Sequence, residues 1–382
     1  MLRPQLKNLV AYIQEMYQCE AFLPLHEPRF NEREKELVMD CIDSTFVSSV
    51  GPYVDQFEKQ IADYTGAKYA IATVNGTAAL HVSLLLAGVE RGSEVITQAL
   101  SFIATCNAIS YCGASPVFVD VDKQTLGLSA ESLSDFLSQY AFVKDEQCFN
   151  KHTQNRISAC VPMHTFGHPC EIDRIKAICE KWCIPLVEDA AESLGSVYQN
   201  QHTGTFGLLG AISFNGNKII TAGGGGAIIT QDEQLAKKAR HLTTTAKVPH
   251  KWAFNHDQIG YNYRMPNLNA ALLCAQLEKL EVYIQNKRET AQKYQAWCQS
   301  NQVAFVSEPP NAASNFWLNA ILLKDQAEQQ NFLEYANNQG VMTRPAWTLL
   351  NTLPMFKDCL AMPQNNAQYL SEHLVNLPSS VR

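Results

Sequence analysis

The sequence predicts an α/β fold with a mostly parallel central sheet flanked by helices. Short, continuously apolar strands such as Tyr69-Ala70-Ile71-Ala72-Thr73-Val74 recur between about residues 69 and 190. Amphipathic stretches of helical length separate them, so consecutive strands need crossover connections rather than hairpins. Composition is that of a globular chain: of 382 residues, 46% are hydrophobic and 18% charged, which excludes disorder and coiled coil.

Taken in order, residues 1–22 have helical spacing and precede the main body. Residues 31–45 form a second amphipathic stretch, with Leu37, Val38, Cys41 and Ile42 on one face. Gly51-Pro52 punctuates, and a helix over 53–64 ends near Gly66. A strand at 69–74, a turn at Asn75-Gly76 and a helix over 77–87 come next. A strand at 94–97, a helix at 102–111 and a strand at 116–120 follow. A strand at 157–162, a helix at 172–182 and a strand at 185–188 complete the alternation. The polar segment 139–155 interrupts it and reads as a crossover extended at the surface, with a functional lid as the alternative.

After about residue 265 the rhythm changes. A long helix over 267–301, bent or straight, leads into mixed strands and helices. The expected organisation is an N-terminal helical extension (1–30), a large domain (31–265) and a smaller C-terminal α/β domain (266–382), in keeping with a chain of two to three domain lengths.

Charge and cysteine usage exclude several roles. Thirty Lys+Arg against 37 Asp+Glu leave a net charge of −7, and no basic run exceeds Lys237-Lys238-Ala239-Arg240, so no nucleic-acid partner is expected. No apolar stretch approaches the roughly 18 residues of a membrane span, and the N-terminus lacks a signal-peptide core. A cytoplasmic protein is expected. The twelve cysteines are scattered singly without paired C-x-x-C motifs, which predicts reduced, mostly buried thiols and no metal site.

Three motifs carry chemistry. In Ser213-Phe214-Asn215-Gly216-Asn217-Lys218, a lysine enters a turn just before the glycine run Gly223–Gly226. Glycine permits close backbone approach and positive φ, although a Gly-rich hairpin beside a solvated lysine is the plainer reading. In Val187-Glu188-Asp189-Ala190-Ala191-Glu192-Ser193, an apolar strand ends in carboxylates, at the sheet edge where α/β ligand sites form. Asp189 could equally cap the next helix. In Asn75-Gly76-Thr77-Ala78-Ala79-Leu80, a strand, a Gly turn and a helix start expose free amides and a hydroxyl, a ready phosphate cradle. Thr at a helix start is also common without a ligand.

Together these are the parts needed to hold pyridoxal 5′-phosphate. The Lys218 amine would take the aldehyde, Asp189 would keep the ring nitrogen protonated, and an aromatic residue such as Phe102 would stack on the ring.

The combination NGTAAL, SFIATCNAI, PVFVDVD, EDAAESLGS, SFNGNK with GGGG, and Gly260-Tyr261-Asn262-Tyr263-Arg264-Met265 resembles the DegT/DnrJ/EryC1/StrS family, from about residue 24 into the C-terminal domain. The resemblance implies a pyridoxal-phosphate-dependent sugar aminotransferase of transferase fold type I, like aspartate aminotransferase. Asp43-Ser44-Thr45-Phe46-Val47-Ser48-Ser49-Val50-Gly51 and Pro162-Met163-His164-Thr165-Phe166-Gly167-His168-Pro169 look most like the branch acting on UDP-4-keto-6-deoxy-N-acetylhexosamines. That branch, the LegC type, serves bacillosamine- and legionaminic-acid-type pathways.

The resemblance implies that Lys218 holds the cofactor and moves the proton, while Asp189 binds the ring nitrogen. Gly76, Thr77 and Ser213 would hold the phosphate, with Asn262 reaching it from the neighbouring subunit of an obligate homodimer with shared sites. Phe102 would stack, and Glu192 would stand near the phenolic oxygen, where many relatives carry Gln or His. Phe46, Val47, Ser48 and Ser49, with Arg344, Pro345, Ala346 and Trp347, would contact the nucleotide sugar. The implied amino donor is L-glutamate. Relatives that are sugar dehydratases replace the lysine with His, whereas Lys218 is present here, and the intact Lys218, Asp189 and Thr77 speak against a non-catalytic sensor.

Other residues have two readings. His164 could approach the cofactor face or serve loop hydrogen bonding. Arg264 could receive a donor carboxylate or form an interface salt bridge. Trp347 could be substrate wall or core. Leu268, Leu272, Leu273 and Leu277 recur at core spacing.

Overall fold

The computed structural model describes residues 2–19 and 21–382; Met1 and Glu20, inside the stretch expected as a helix over 1–22, lie outside the described residues. Seven strands build the central sheet. In spatial order they are Ser115–Val119, Glu94–Gln98, Arg156–Val161, Val187–Asp189, Leu209–Ser213, Gly226–Thr230 and Tyr69–Thr73. Bridges from Cys160 to Leu186 and from Met163 to Asp189 join the two halves. The strands run parallel except Gly226–Thr230, which is antiparallel to both of its neighbours.

Helices Gly76–Leu86, Ala104–Tyr111 and Ile172–Lys181 are crossovers of this sheet. Covered on both faces, a strand has no polar side to show. Every residue of Gly226–Thr230 is buried, and its centre, Ala227-Ile228-Ile229, is wholly apolar for that reason.

The segment 139–155 is more than a polar crossover. Ala141–Lys144 and Gln147–Asn150 form a hairpin whose turn places Asp145 and Glu146 at φ 49° and 56°. Its second strand pairs with Arg156–Val161 and adds an antiparallel edge. Phe142 and Phe149 stack across the hairpin with centroids 5.6 Å apart, an apolar pair hidden among polar neighbours. The helix before it, Ala130–Tyr140, is capped by Ser129 and buries Leu133, Phe136 and Leu137.

The long helix is broken into Asn267–Leu277 and Leu280–Ser300. Ala270, Ala271, Leu273 and Cys274 of the first piece share a core with Leu37, Val54, Phe57 and Ile61 of the large body. Tyr294 and Cys298 of the second pack with Ile321, Phe332 and Val375 of the small body. Leu6, Leu9, Val10 and Ile13 of the N-terminal helix Pro4–Tyr17 join that same cluster. The two pieces thus bridge the clusters, with Leu280, Tyr283 and Ile284 of the second still in the core of the first, and the N-terminal helix packs with the C-terminal part of the chain. On helix Glu32–Asp43 the buried residues are Glu34, Leu37 and Cys41, while Ile42 stays exposed. All twelve thiols are free and nine are buried.

Two buried histidines record how firmly the loops behind the sheet are packed. Both ring nitrogens of His168 lack a hydrogen-bond partner, and its ring meets Phe316 edge-on at 5.3 Å. Burial pushes it down to about 4, against the pull of the Glu308 charge. His202 accepts the Gly195 amide at 2.7 Å, and burial likewise lowers it to about 4. Each must be neutral to stay inside. Their contribution to stability is complete above the ordinary value of 6.5 and is lost as pH falls from 6.5 to 4. We expect His168→Leu to flatten that acid loss by roughly 3 kcal/mol, read from denaturant midpoints at pH 7 and pH 4. An unchanged pH slope contradicts the assignment.

Candidate active site

A cavity of about 410 Å³ opens where the parallel strands end, and Asp189, Glu192, Lys218, Gly76, Thr77, Ser213 and Phe102 all line it. Residues far apart in sequence thus meet at the sheet edge the strand pattern singled out.

Strand Val187–Asp189 aims its two carboxylates to opposite faces, as the period of a strand demands. Asp189 faces the cavity. Thr105 Oγ1 donates to its Oδ2 at 2.7 Å and the Ala191 amide to its Oδ1 at 3.1 Å. Burial raises its pKa, opposed by the Thr105 hydroxyl, the Ala191 amide and the Lys218 charge. Glu188 faces away and fastens a loop, accepting the Gly204, Phe206 and Gly207 amides, each at 2.7 Å.

Lys218 rides a loop between two paired strands, which closes where Ser213 pairs with Gly226. Phe214 anchors that loop in the core, edge-on to Phe57 at 5.2 Å, and its carbonyl accepts the Ala222 amide at 3.2 Å. The Lys218 ammonium donates to Glu192 Oε1 at 3.2 Å and stands 4.0 Å from the centre of the Trp317 ring. Glu192 is fully enclosed, and its Oε2 accepts the Phe166 amide at 2.9 Å. Burial pushes its pKa up to about 7, against the Lys218 charge and the Phe166 amide.

The glycine run does not touch the ligand space. Gly225 packs against Phe214, Met265 and Leu273, and Gly226 lies against the Asn75 carbonyl. Close approach belongs instead to Gly76, where a Cβ would stand 2.8 Å from the Ser213 Cβ. The N-cap of helix Gly76–Leu86 is Asn75, whose side chain accepts the Ala78 amide at 2.8 Å, so Thr77 is the second helical residue. The Gly76 and Thr77 amides have no intrahelical carbonyl to reach, and with the Thr77 and Ser213 hydroxyls they can hold an anion.

Several expected residues are elsewhere. His164 is fully buried beneath the cavity rather than in it. Its Nδ1 accepts the Cys170 amide at 3.1 Å, leaving an Nε2 proton for Glu188 Oε2 at 3.0 Å. That network occupies both ring nitrogens and leaves none for a substrate. Phe102 lines the cavity from the turn ahead of helix Ala104–Tyr111, not from inside it. Phe46, Val47, Ser48 and Ser49 lie at the surface outside this cavity, held by Asn267, whose amide donates to the Ser48 carbonyl at 2.6 Å. Arg344 and Pro345 are an exposed strand, and Ala346 is buried in the core. Trp347 does line the cavity, with its ring 5.0 Å from that of Phe166. Asn262 is exposed, away from its own chain's cavity.

Two site residues escaped the sequence reading. Thr105 sits on a helix with no local mark of its bond to Asp189. Trp317 comes from the small body, its indole donating to the Asn217 carbonyl at 2.7 Å. Its one signal is a tryptophan in a loop before a strand.

Comparison with known proteins agrees with this arrangement. Residues 28–382 match the model of the DegT/DnrJ/EryC1/StrS aminotransferase family. GDP-perosamine synthase of Escherichia coli O157:H7 is 34% identical over 94% of this chain and 93% of its own length. GDP-perosamine synthase of Vibrio cholerae is 32% identical over 94% of each. Among solved structures, a DegT/DnrJ/EryC1/StrS aminotransferase from Brucella abortus superposes with a TM-score of 0.82 at 26% identity, covering 91% of this chain and 90% of that one. The chain belongs to the DegT/DnrJ/EryC1/StrS aminotransferase family, with the fold of the pyridoxal-phosphate-dependent aminotransferases. Its cofactor is pyridoxal 5′-phosphate.

The donor set fits that cofactor: an amine, a buried carboxylate and an anion cradle share one cavity. Gly76→Ala should force the helix start away from Ser213 and spoil the cradle. We expect cofactor affinity, read by absorbance titration of the apoprotein, to fall about tenfold or more with the thermal midpoint little changed. Wild-type affinity would show that the close approach is incidental.

Proposed function

We propose that the protein transfers the amino group of L-glutamate to the 4-keto carbon of a nucleotide-linked 6-deoxyhexose. The observation that carries this reading is the Lys218 amine, 3.2 Å from Glu192 and in one cavity with Asp189 and the open end of helix Gly76–Leu86. When bound, pyridoxal phosphate supplies an aldehyde for an amine and a ring that takes up electrons from a deprotonated carbon.

In this reading Lys218 holds the cofactor and then carries the proton at the substrate carbon. Asp189 keeps a proton on the ring nitrogen, which its enclosure and its bonds to Thr105 and Ala191 suit it to do. Gly76, Thr77 and Ser213 hold the phosphate, and Phe102 covers the ring. Glu192, with its pKa near 7, can meet the phenolic oxygen as acceptor or as donor. Trp317 and Trp347 wall the cavity and exclude water.

The same reading makes the protein a homodimer with shared sites. Asn262 is exposed on its own chain, beside a loop that shows Trp252, Phe254 and Ile259 to solvent. Phe46, Val47 and Val50 are exposed as well. So many uncovered apolar side chains support a second copy as their cover, with Asn262 completing the phosphate cradle across the interface.

For the sugar, the stretches 43–51 and 162–169 favour a UDP-linked 4-keto-6-deoxy-N-acetylhexosamine, for bacterial surface-glycan or nonulosonic-acid synthesis. A GDP-linked 4-keto-6-deoxyhexose is the second reading, favoured by the two GDP-perosamine synthases at 32–34% identity.

Incubation with L-glutamate and a panel of UDP-, GDP- and dTDP-linked 4-keto sugars, with products read by mass, tests the proposal. Amino sugar from the UDP-linked member supports the first reading, and from the GDP-linked member alone the second. Lys218→Ala should lower turnover by about 10³-fold or more. No product from any sugar, or normal turnover by the variant, refutes transamination.

A further inference from the structure

Two groups from distant parts of the chain flank the Lys218 amine. The Glu192 carboxylate is 3.2 Å away, and the centre of the Trp317 ring 4.0 Å. One side chain bonds to the backbone of both. Asn315 is wholly buried and lies outside the cavity lining. Its Nδ2 donates to the Glu192 and Leu194 carbonyls, each at 2.9 Å, and its Oδ1 accepts the Trp317 amide at 2.8 Å. Two carbonyls on one side and an N–H on the other leave the carboxamide a single orientation, with both of its amide protons used.

The surrounding chain keeps it there. The Asn315 amide donates to Ser196 Oγ at 3.0 Å, and Ser196 Oγ donates to the Gly167 carbonyl at 2.7 Å. The Ser314 hydroxyl donates to the same carbonyl at 2.9 Å. Gly167 stands at φ 93°, and a Cβ there would run into Asn315 Oδ1, so the position takes glycine on both counts. Phe316 is left-handed at φ 47°, a conformation that a bulky residue keeps only where its neighbours hold it. The turn that Asn315 Oδ1 closes onto the Trp317 amide does so. Beyond that turn, the Trp317 carbonyl accepts from Lys287 at 3.1 Å, and its indole donates at 2.7 Å to the carbonyl of Asn217, the neighbour of Lys218. Three loops, 164–167, 192–196 and 314–317, meet around one carboxamide.

We infer that Asn315 is a positioning residue for the Lys218 amine: by spanning Glu192 and Trp317 it holds a carboxylate and an aromatic ring in place beside the amine and aims it into the cavity. This role rests on Lys218 being the amine that takes the cofactor. None of the Asn315 hydrogen bonds reaches Gly76, Thr77, Ser213 or the Asp189 side chain, so the anion cradle and the ring-nitrogen partner stand apart from it.

The test compares two ligands on the cofactor-free, full-length protein. Pyridoxal phosphate bonds to an amine; pyridoxine phosphate has an alcohol in place of the aldehyde and cannot. The two share ring, phosphate and phenolic oxygen, so a difference between them reads the amine alone. Wild type is titrated beside Asn315→Ala, Asn315→Ser and Lys218→Ala, each checked for folding by its thermal midpoint. We expect Asn315→Ala to bind pyridoxal phosphate about tenfold or more weakly, while pyridoxine phosphate changes by less than about threefold. Asn315→Ser should lie between, since its hydroxyl can still accept the Trp317 amide but is too short to reach both carbonyls. If Asn315→Ala does not fold, Asn315→Ser decides by the same two ratios. Equal losses for both ligands would show that Asn315 only holds the cavity together, and unchanged pyridoxal phosphate binding would show that it aims nothing; either overturns the inference. Lys218→Ala separates the failures. If it keeps wild-type affinity for pyridoxal phosphate, the reading of Lys218 fails first; if it loses affinity while both Asn315 variants match wild type, only the role of Asn315 fails.

Discussion

Asp189 and Glu192 are buried carboxylates that line one cavity together with a single ammonium, that of Lys218. Burial raises the pKa of both, and each is held by a few local donors: Thr105 and Ala191 for Asp189, Phe166 and Lys218 for Glu192. Two buried acids and one base are not balanced, because removing charge from water is opposed unless partners compensate. The imbalance is what makes the site receptive. A ring nitrogen that brings its own proton relieves Asp189, and a phenolic oxygen gives Glu192 a partner when the Lys218 amine is otherwise engaged.

The fold exists around that constraint. Asp189 reaches the cavity because a three-residue strand ends there, and Glu188, one residue earlier, uses the opposite face to pin the loop at 204–207. His164 closes the same knot from below through Glu188 and the Cys170 amide. Lys218 can be delivered only by a loop that leaves the sheet at Ser213 and returns at Gly226, and Phe214 sets how deep that loop sits. The small body supplies Trp317 and Trp347, so the cavity has a wall from each body.

The fold was legible where periodicity was strong. Strands such as Tyr69–Thr73, buried at four of five positions, could be read because apolar residues fill them, whereas Gly226–Thr230 went unread behind the glycine run. Helix Ala130–Tyr140 and the hairpin after it were not, since their few apolar residues are spread among polar ones. At the site, Lys218, Asp189, Glu192, Gly76, Thr77, Ser213 and Phe102 were all legible as one constellation, and the structure gathers them in one cavity. What could not be read was pairing over long sequence distance: Thr105 on Asp189, Trp317 against Lys218, His164 on Glu188. The glycine run misled, because its glycines make room for the protein's own Phe214, Met265 and Asn75 rather than for a ligand.

The central claim is that Lys218 is the amine that takes the cofactor. Borohydride reduction of the cofactor-loaded protein, followed by peptide mass spectrometry, reads this directly. The account predicts the added mass on the peptide containing Lys218. Lys287 is the informative rival, since burial lowers it to about 7 and an amine that is neutral near pH 7 is a competent nucleophile. Label on Lys287, on any other lysine, or on none would contradict the account.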